Sequence, residues 1–254
     1  MLQATSRRLM PTVFIALVSG CASYSSLKEA RTVDPGVFRV DVAAAGITAR
    51  PVSGATAFLN GARPSPTDTT EQARLSPGLE AQVRYGLTEW LDLGVKTTLS
   101  SIEVNGTVQV FRGNRFDVAL APALQGAVGS NGDDEAWEMA LAKLTLLGDA
   151  RFGAFGQHAV VIGPTLAREW GSGMGKNSGY APDALFAGGT LGVSMEVTPS
   201  LRVFPEIAVY TPLRGSGVAL PGYVLRVSPD VGPGRPVLVQ LVIGMAMSGS
   251  GAPR

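Results

Sequence analysis

Cysteine and histidine are nearly absent from this chain of 254 residues, which has one of each. A single cysteine cannot build an intramolecular disulfide framework, and no Cys/His cluster has metal-ligand spacing. Charged residues are scarce at 16%, with a formal net charge of +1, and they form no basic cluster of the kind that binds nucleic acid. We therefore expect no disulfide scaffold, no metal or other cofactor, and no nucleic-acid partner.

Long hydrophobic runs are also missing. Apart from the start of the chain, the longest candidate is Val237 to Met247, which is interrupted by Gln240 and has the length of a strand. A membrane-spanning helix needs about 20 apolar residues, so none is predicted. The chain has 32 glycines and 17 prolines, which could indicate disorder, but 45% hydrophobic residues favour a folded protein.

The first 21 residues have the pattern of an export signal. Arg7 and Arg8 form a short basic start, and residues 9–18 form an apolar run that is too short to span a bilayer. A buried N-terminal helix is the alternative, and Pro11 disfavours it. Without the cysteine at the end of this stretch, the segment would indicate an ordinary signal peptide and a soluble mature protein.

The small residues Ser19 and Gly20 stand directly before Cys21, and Val18-Ser19-Gly20-Cys21 resembles the lipobox of bacterial lipoproteins. The resemblance implies cleavage between Gly20 and Cys21, lipidation of Cys21, and acylation of the new N-terminus. Ala22 stands where the enterobacterial retention signal for the inner membrane would have aspartate, so the implied location is the outer membrane. Several acyl chains together anchor a protein stably.

Hydrophobicity alternates with a period of two through most of the remaining chain. Residues 79–87 are apolar at every odd position and mostly polar at the even ones, and residues 91–99 repeat the pattern. Such alternation indicates β-strands between two different environments. We predict an all-β protein with ten strands, near residues 37–49, 78–87, 91–100, 102–111, 116–125, 137–150, 158–169, 184–197, 201–211 and 236–247.

The predicted connections largely alternate between short turns and long loops. The short turns are Thr88 to Trp90, Arg112 to Arg115, Arg151 to Gln157 and Thr198 to Ser200, and the long loops are Arg50 to Pro77, Gly126 to Ala136, Trp170 to Asp183 and Pro212 to Arg235. This organisation resembles that of small bacterial outer-membrane β-barrels. The resemblance implies an antiparallel up-and-down transmembrane barrel with short periplasmic turns and long external loops.

The domain organisation follows from these two resemblances. Residues 1–20 are the predicted lipoprotein signal peptide, 21–35 a lipidated linker, 36–248 the barrel, and 249–254 a flexible tail. Residues 137–150 alternate poorly and leave Lys143 out of register unless a bulge intervenes. Pro122 and Pro205 fall inside predicted strands, where each removes a ladder donor.

Alternation alone does not show whether the apolar face of the wall points outward or inward. Soluble lipocalin-like barrels and β-sandwiches alternate too, with the apolar side inward. The polar face is rich in Ala and Gly, which suits a narrow lumen better than a water-facing exterior. We therefore favour the membrane barrel, whose lumen would hold charges of both signs that must pair or meet water. The predicted lumen-facing charges are Arg39, Asp41, Glu80, Arg84, Asp92, Lys96, Arg202 and Glu206.

Catalytic chemistry has little support in the sequence. His158 is the only histidine, and no motif nominates a nucleophile or an orienting partner for it. Residues 171–177 resemble a phosphate loop, but Trp170 replaces its first glycine and Asn177 its Ser or Thr. Residues 129–135 are acidic without the spacing of a calcium loop. We predict no catalytic residue and no enzyme activity, apart from a residual chance of a membrane-surface hydrolase or acyltransferase.

Four functions remain compatible with the sequence. The first is a lipid-anchored outer-membrane barrel with a structural or surface-interaction role, which contacts membrane lipid and a surface or envelope partner through its long loops. The second is a small pore or carrier, which ranks lower because barrels of this size have little free lumen. The third is a lipid-modifying enzyme that uses His158. The fourth is a soluble periplasmic lipoprotein that binds an apolar ligand inside its barrel.

Overall fold

The computed structural model describes residues 23–50, 56–59, 76–130, 135–175, 183–220, 223–226 and 237–248. Within these ranges, no helix is long and apolar enough to cross a membrane. The same residues form twelve β-strands: β1 (Phe38–Arg50), β2 (Thr56–Leu59), β3 (Ser76–Thr88), β4 (Leu91–Thr97), β5 (Ser101–Arg112), β6 (Phe116–Ser130), β7 (Glu135–Phe152), β8 (His158–Gly175), β9 (Asp183–Thr198), β10 (Leu201–Leu220), β11 (Tyr223–Arg226) and β12 (Val237–Ser248).

Ten of these strands close into an antiparallel barrel. β1 pairs with β3, each of β3 to β9 pairs with its successor, and β12 completes the ring by pairing with both β10 and β1. The register of β1 against β12 runs from Arg39↔Ser248 to Arg50↔Val237. Closure gives every wall strand two hydrogen-bonded neighbours, which a strand in lipid requires because the bilayer core offers no partner for its backbone.

The ten predicted strands and the ten-stranded antiparallel barrel are confirmed. The turns between β3 and β4, β5 and β6, β7 and β8, and β9 and β10 lie at one end, which we call the short-turn end. Most of the longer connections lie at the other end, the long-loop end. β6, β8 and β10 continue further towards the long-loop end than predicted, and the predicted loop 126–136 shrinks to four residues between Ser130 and Glu135.

Two short strands were not predicted. β11 pairs with the end of β10, and β2 pairs with β11, so they extend the sheet beyond the ring. Residues 171–175, which resembled part of a phosphate loop, lie in β8 and pair with β7 as far as Glu135↔Gly175. The prediction of a loop over residues 171–175 is wrong, because the ladder of β7 and β8 continues through them.

The expectation that Lys143 would be out of register without a bulge is also wrong. β6 and β7 pair without a register shift from Phe116↔Ala150 to Ser130↔Ala136. Lys143 is buried on the inner face of β7, in line with Leu141 and Leu147. The alternation is weak because these two leucines also point inward, and not because the strand slips.

The two prolines that fall inside predicted strands also lie inside wall strands of the structure. Pro122 pairs with Leu144 of β7, and Pro205 pairs with Ile243 of β12. The pairing with these neighbours continues on both sides of each proline, so the missing donor is tolerated locally.

The outer face of the wall is apolar. Many leucine, valine, isoleucine and methionine side chains of the wall strands are about half exposed, including Leu144, Leu166 and Ile243. Most charged and amide side chains of the same strands are buried on the inner face, and Arg168 is an exposed exception. This arrangement is the reverse of a soluble barrel and is typical of a wall in contact with lipid.

Aromatic residues lie near the short-turn end on the outer face. Trp90, Phe116 and Phe152 are about half exposed, and Phe155 at the tip of a turn is 94% exposed. Phe38 packs on Tyr85 with ring centroids 4.5 Å apart. Aromatic residues prefer the membrane interface, so this group marks one boundary of the apolar band.

A charge on the outer face tests the position of the membrane. Leu144 lies at the middle of β7 with an exposed side chain. We expect Leu144→Arg to lower the free energy of unfolding by about 2–4 kcal/mol, as for a cation at the bilayer midplane. The measurement is urea unfolding in lipid vesicles.

The matched control is Phe155→Arg, which adds the same side chain at a turn tip and should cost about 0–1 kcal/mol, as near an interface. Equal small effects of both substitutions would contradict a lipid-facing wall.

Candidate functional site

An extended segment of the chain fills the barrel lumen. We call residues 23–33 the luminal segment. Nine of its eleven residues are buried, and Ser26 and Arg31 are half-buried. The segment precedes β1 in the chain, so the barrel wall closes around its own N-terminal region.

The wall accepts hydrogen bonds from the main chain of this segment. Carboxylate and amide oxygens lie where backbone N–H groups of the segment point, at intervals along its length. These contacts matter because an extended chain inside a barrel has no neighbouring strand to satisfy its N–H groups. The pairs are Tyr24 N to Gln240 (2.7 Å), Ser26 N and Leu27 N to Glu206 (2.8 and 3.1 Å), Ala30 N to Asp149 (2.8 Å), Thr32 N to Gln109 (3.3 Å) and Val33 N to Asp92 (3.0 Å).

Wall side chains also donate to carbonyl oxygens of the luminal segment. Lys143 Nζ donates to Ser23 O at 2.8 Å, and Lys96 Nζ donates to Ser25 O at 2.8 Å. Tyr210 Oη donates to the carbonyl oxygen of Tyr24 at 3.0 Å. Both polar groups of the backbone are therefore recognised, as in a bound peptide.

The hydroxyl groups of the segment bind a carboxylate that the sequence predicts to face the lumen. Ser23 Oγ and Ser25 Oγ donate to the two carboxylate oxygens of Glu80, at 2.8 and 2.6 Å. Lys96 lies 3.9 Å from Glu80 and 3.4 Å from Glu103, which in turn lies 2.6 Å from Lys143. Two carboxylates and two ammonium groups thus form one buried network around Ser23 and Ser25.

A second network holds the acidic residue of the luminal segment. Glu29 accepts a hydrogen bond from Arg202 at 2.9 Å, and it also contacts Arg39 at 3.4 Å and Ser194. Arg39 pairs with Asp41 on its own strand at 2.9 Å. A buried carboxylate is costly unless it is paired in this way.

A third network lies at the short-turn end. Arg31 donates to Asp117 at 3.0 Å, and Arg151 reaches the same carboxylate at 2.7 Å. Arg84 on β3 pairs with Asp92 on β4, and both side chains are fully buried. Asp92 therefore binds a wall arginine and the main chain of the luminal segment together.

Small wall residues provide the space for the segment. Leu27 and Ala30 belong to a buried apolar cluster with Ala43, Ala119 and Ala121 of the wall. Leu27 has a φ of 47°, a left-handed conformation that costs a residue with a Cβ atom about 1–2 kcal/mol. This turn directs the N–H groups of Ser26 and Leu27 towards the carboxylate of Glu206. The two hydrogen bonds stabilise the left-handed conformation of Leu27.

All eight charges that the sequence predicts to face the lumen lie on the inner face of the wall. Arg39, Asp41, Glu80, Arg84, Asp92, Lys96 and Glu206 are buried, and Arg202 is half-buried. Sequence reasoning missed the inward-facing Glu103, Asp117, Lys143 and Asp149. The inward direction of Glu103 and Asp117 could have been predicted from the alternation of their strands, because each stands at an inner position of the period of two.

His158 lies at the start of β8, where its ring packs on Phe152 with centroids 5.3 Å apart. Its Nδ1 atom is buried without a hydrogen-bond partner among the described residues. A catalytic base needs a group that orients its ring, so this environment gives no support for a triad. In the described part of the chain, no cluster of three His, Cys, Asp or Glu residues could hold a metal ion.

The predicted lipobox, including Gly20 and Cys21, lies outside the described residues, as do the predicted signal peptide and the tail 249–254. The same holds for the tip of the acidic loop at residues 131–134. Predictions that rest on these residues are therefore based on the sequence.

No protein-family model and no curated protein matches this chain. Among solved structures, the outer membrane protease OmpT from Escherichia coli has a TM-score of 0.52 at 9% identity, covering 87% of this chain and 100% of that one. Neisserial surface protein A has a TM-score of 0.40 at 12% identity, covering 83% and 96%. The attachment invasion locus protein Ail of Yersinia pestis, in complex with sucrose octasulfate, has a TM-score of 0.38 at 9% identity, covering 85% and 99%.

These likenesses show the fold alone. The chain has the closed ten-stranded antiparallel barrel of bacterial outer-membrane proteins, and the comparison with OmpT carries that statement. At 9% identity, the protease activity of OmpT is not transferred to this chain.

The buried ion pairs should matter more for stability than the exposed ones. We expect Arg84→Ala to lower the free energy of unfolding by about 3–5 kcal/mol, because it leaves Asp92 buried without its cation. The measurement is urea unfolding in detergent micelles.

The control is Arg168→Ala, which removes an exposed pair with Asp183 at 3.6 Å and should cost less than about 1 kcal/mol. Similar losses in the two variants would show that the lumen is as well hydrated as the exterior.

Proposed function

We propose that this protein is a closed, lipid-anchored barrel of the bacterial outer membrane with a structural or surface-interaction role and no enzyme activity. The observation that carries the proposal is the luminal segment, which occupies the interior that a pore or carrier would need. The lipobox at Cys21 supports the anchor, and the apolar outer wall supports the location.

Closure of the lumen favours this role over conduction. Ten-stranded barrels have a narrow interior even when empty. Here the interior holds a polypeptide whose backbone and charges are bonded to several wall strands, including β3, β4, β7, β10 and β12. An ion that crosses the barrel would have to displace these bonds.

Partners would contact the long-loop end. β8 and β10 are among the longest wall strands, and β11 and β2 extend the sheet from the end of β10. This extension lengthens the sheet at the long-loop end. In outer-membrane barrels, the longer loops face the cell exterior. We propose a protein or envelope partner bound there, in addition to membrane lipid.

Conductance tests the closed lumen. We expect the full chain to give no current steps in planar bilayers. Replacement of residues 23–33 by a Gly/Ser sequence of the same length should produce steps, because a flexible linker lacks the side chains that hold the segment in place.

The control for this experiment is Phe155→Arg, which changes an exposed turn and leaves the lumen intact, and which should stay silent. Gel mobility before and after boiling checks that each variant is folded. Conductance of the unaltered chain, or silence of a folded Gly/Ser variant, would contradict closure by the segment.

The anchor has its own test. We expect radiolabelled palmitate to enter the unaltered chain in cells and to be absent from Cys21→Ala, because the chain has no second cysteine. Equal labelling of the two, or no labelling of either, would contradict lipidation at Cys21.

A further inference from the structure

The luminal segment has a definite direction inside the barrel. Ser23, at its start, contacts Glu80 near the beginning of β3 and Lys143 at the middle of β7. Lys96, which also contacts Ser23 at 3.0 Å, stands next to the last residue of β4. Both the beginning of β3 and the end of β4 lie at the long-loop end. The segment therefore starts in the half of the lumen that is nearer to the long loops.

The other end of the segment lies at the short turns. Thr32 Oγ1 donates to the carbonyl oxygen of Glu89, which is in the turn between β3 and β4, at 2.7 Å. Val33 N donates to Asp92, the second residue of β4, at 3.0 Å. The chain thus runs through the lumen from the long-loop side to the short-turn side before it enters the wall.

The chain leaves the lumen at the short-turn end beside Gly86 of β3, to which it is hydrogen-bonded. Gly36 N donates to Gly86 O at 2.9 Å, and Gly86 N donates to Val37 O at 3.1 Å. A Cβ atom on Gly86 would lie 2.1 Å from the carbonyl oxygen of Asp34, so only glycine allows this close passage. β1 begins directly afterwards, at Phe38.

Charge and hydrogen bonding fix the position of the segment along its path. Glu29 lies against Arg39 and Arg202, whereas Arg31 lies against Asp117. A shift of the luminal segment along the barrel axis would separate these opposite charges. It would leave buried charges unpaired, which is strongly unfavourable. The direction is therefore part of the folded structure.

From this path we infer that the protein presents its N-terminal end on the external face of the outer membrane, with the luminal segment as the connection to the barrel. The acyl anchor at Cys21, which rests on the proposed function, would then be held on the external side. Cys21 stands two residues before Ser23 in the sequence, and two residues span at most about 7 Å. An anchor in the periplasmic leaflet would lie at the opposite end of the lumen.

Accessibility of introduced thiols tests the inference in the full chain. Ala22→Cys places a thiol directly before the luminal segment. Asn131→Cys marks a long-loop connection and Ala154→Cys a short turn. Intact cells are treated with a membrane-impermeant maleimide, before and after permeabilisation of the outer membrane and after denaturation. Lipidated Cys21 has no free thiol, and the unaltered chain is the blank.

We expect Ala22→Cys to react in intact cells as fully as Asn131→Cys. Ala154→Cys should react at least about tenfold less until the membrane is permeabilised, because the bilayer excludes the polar probe. Reaction of Ala22→Cys only after permeabilisation, together with Ala154→Cys, would overturn the inference. Reaction only after denaturation would overturn it as well.

Palmitate labelling of the same Ala22→Cys chain tests the lipid anchor at Cys21 separately from the direction of the luminal segment. An accessible thiol without palmitate would contradict the anchor and retain the direction of the segment. Palmitate with a thiol that is accessible only from the periplasmic side would retain the anchor and contradict the direction.

Discussion

The buried carboxylates of the barrel wall depend on the main chain of the luminal segment, and the rest of the structure depends on this contact. Among the described residues, carboxylates buried in the wall outnumber the buried lysines and arginines of the wall. Glu206, Asp149 and Asp92 find additional donors in backbone N–H groups of residues 26–33. Charge-assisted hydrogen bonds of this kind are stronger than neutral ones, and without the segment these oxygens would need water in a narrow lumen. Wall and segment therefore stabilise each other.

The barrel is polar inside and apolar outside because lipid surrounds its wall. Lipid removes the usual benefit of an apolar interior, so most large apolar side chains of the wall face outward, with inward exceptions such as Leu141 and Leu147. The interior is then free to specify one bound conformation through polar contacts. Small residues such as Ala43 and Ala119 leave the space, and paired charges such as Arg84 and Asp92 set the position. The result is a barrel whose interior holds a segment of its own chain.

Much of the barrel could be predicted from the sequence, because a strand between lipid and a polar lumen must alternate. The ten wall strands, the short turns and inward positions such as Glu80 and Asp92 follow from that period of two. The luminal segment could not be found in this way, because its residues are recognised through the backbone and its sequence carries no periodic pattern. The sequence predicts only a linker over residues 21–35. The predicted register of Lys143 is wrong because its inward neighbours Leu141 and Leu147 are apolar. Only the pairing with the neighbouring strands shows that all three share a face.

Amide hydrogen exchange of the folded protein in detergent micelles, followed residue by residue by NMR, tests the central claim most directly. The backbone N–H groups of Tyr24, Leu27 and Ala30 are bonded to wall side chains in the lumen, so we predict protection comparable to that of amides in β7 and β8. Exchange of these three amides at the rate of an unstructured peptide, while the wall strands stay protected, would show that the luminal segment is not held inside the barrel.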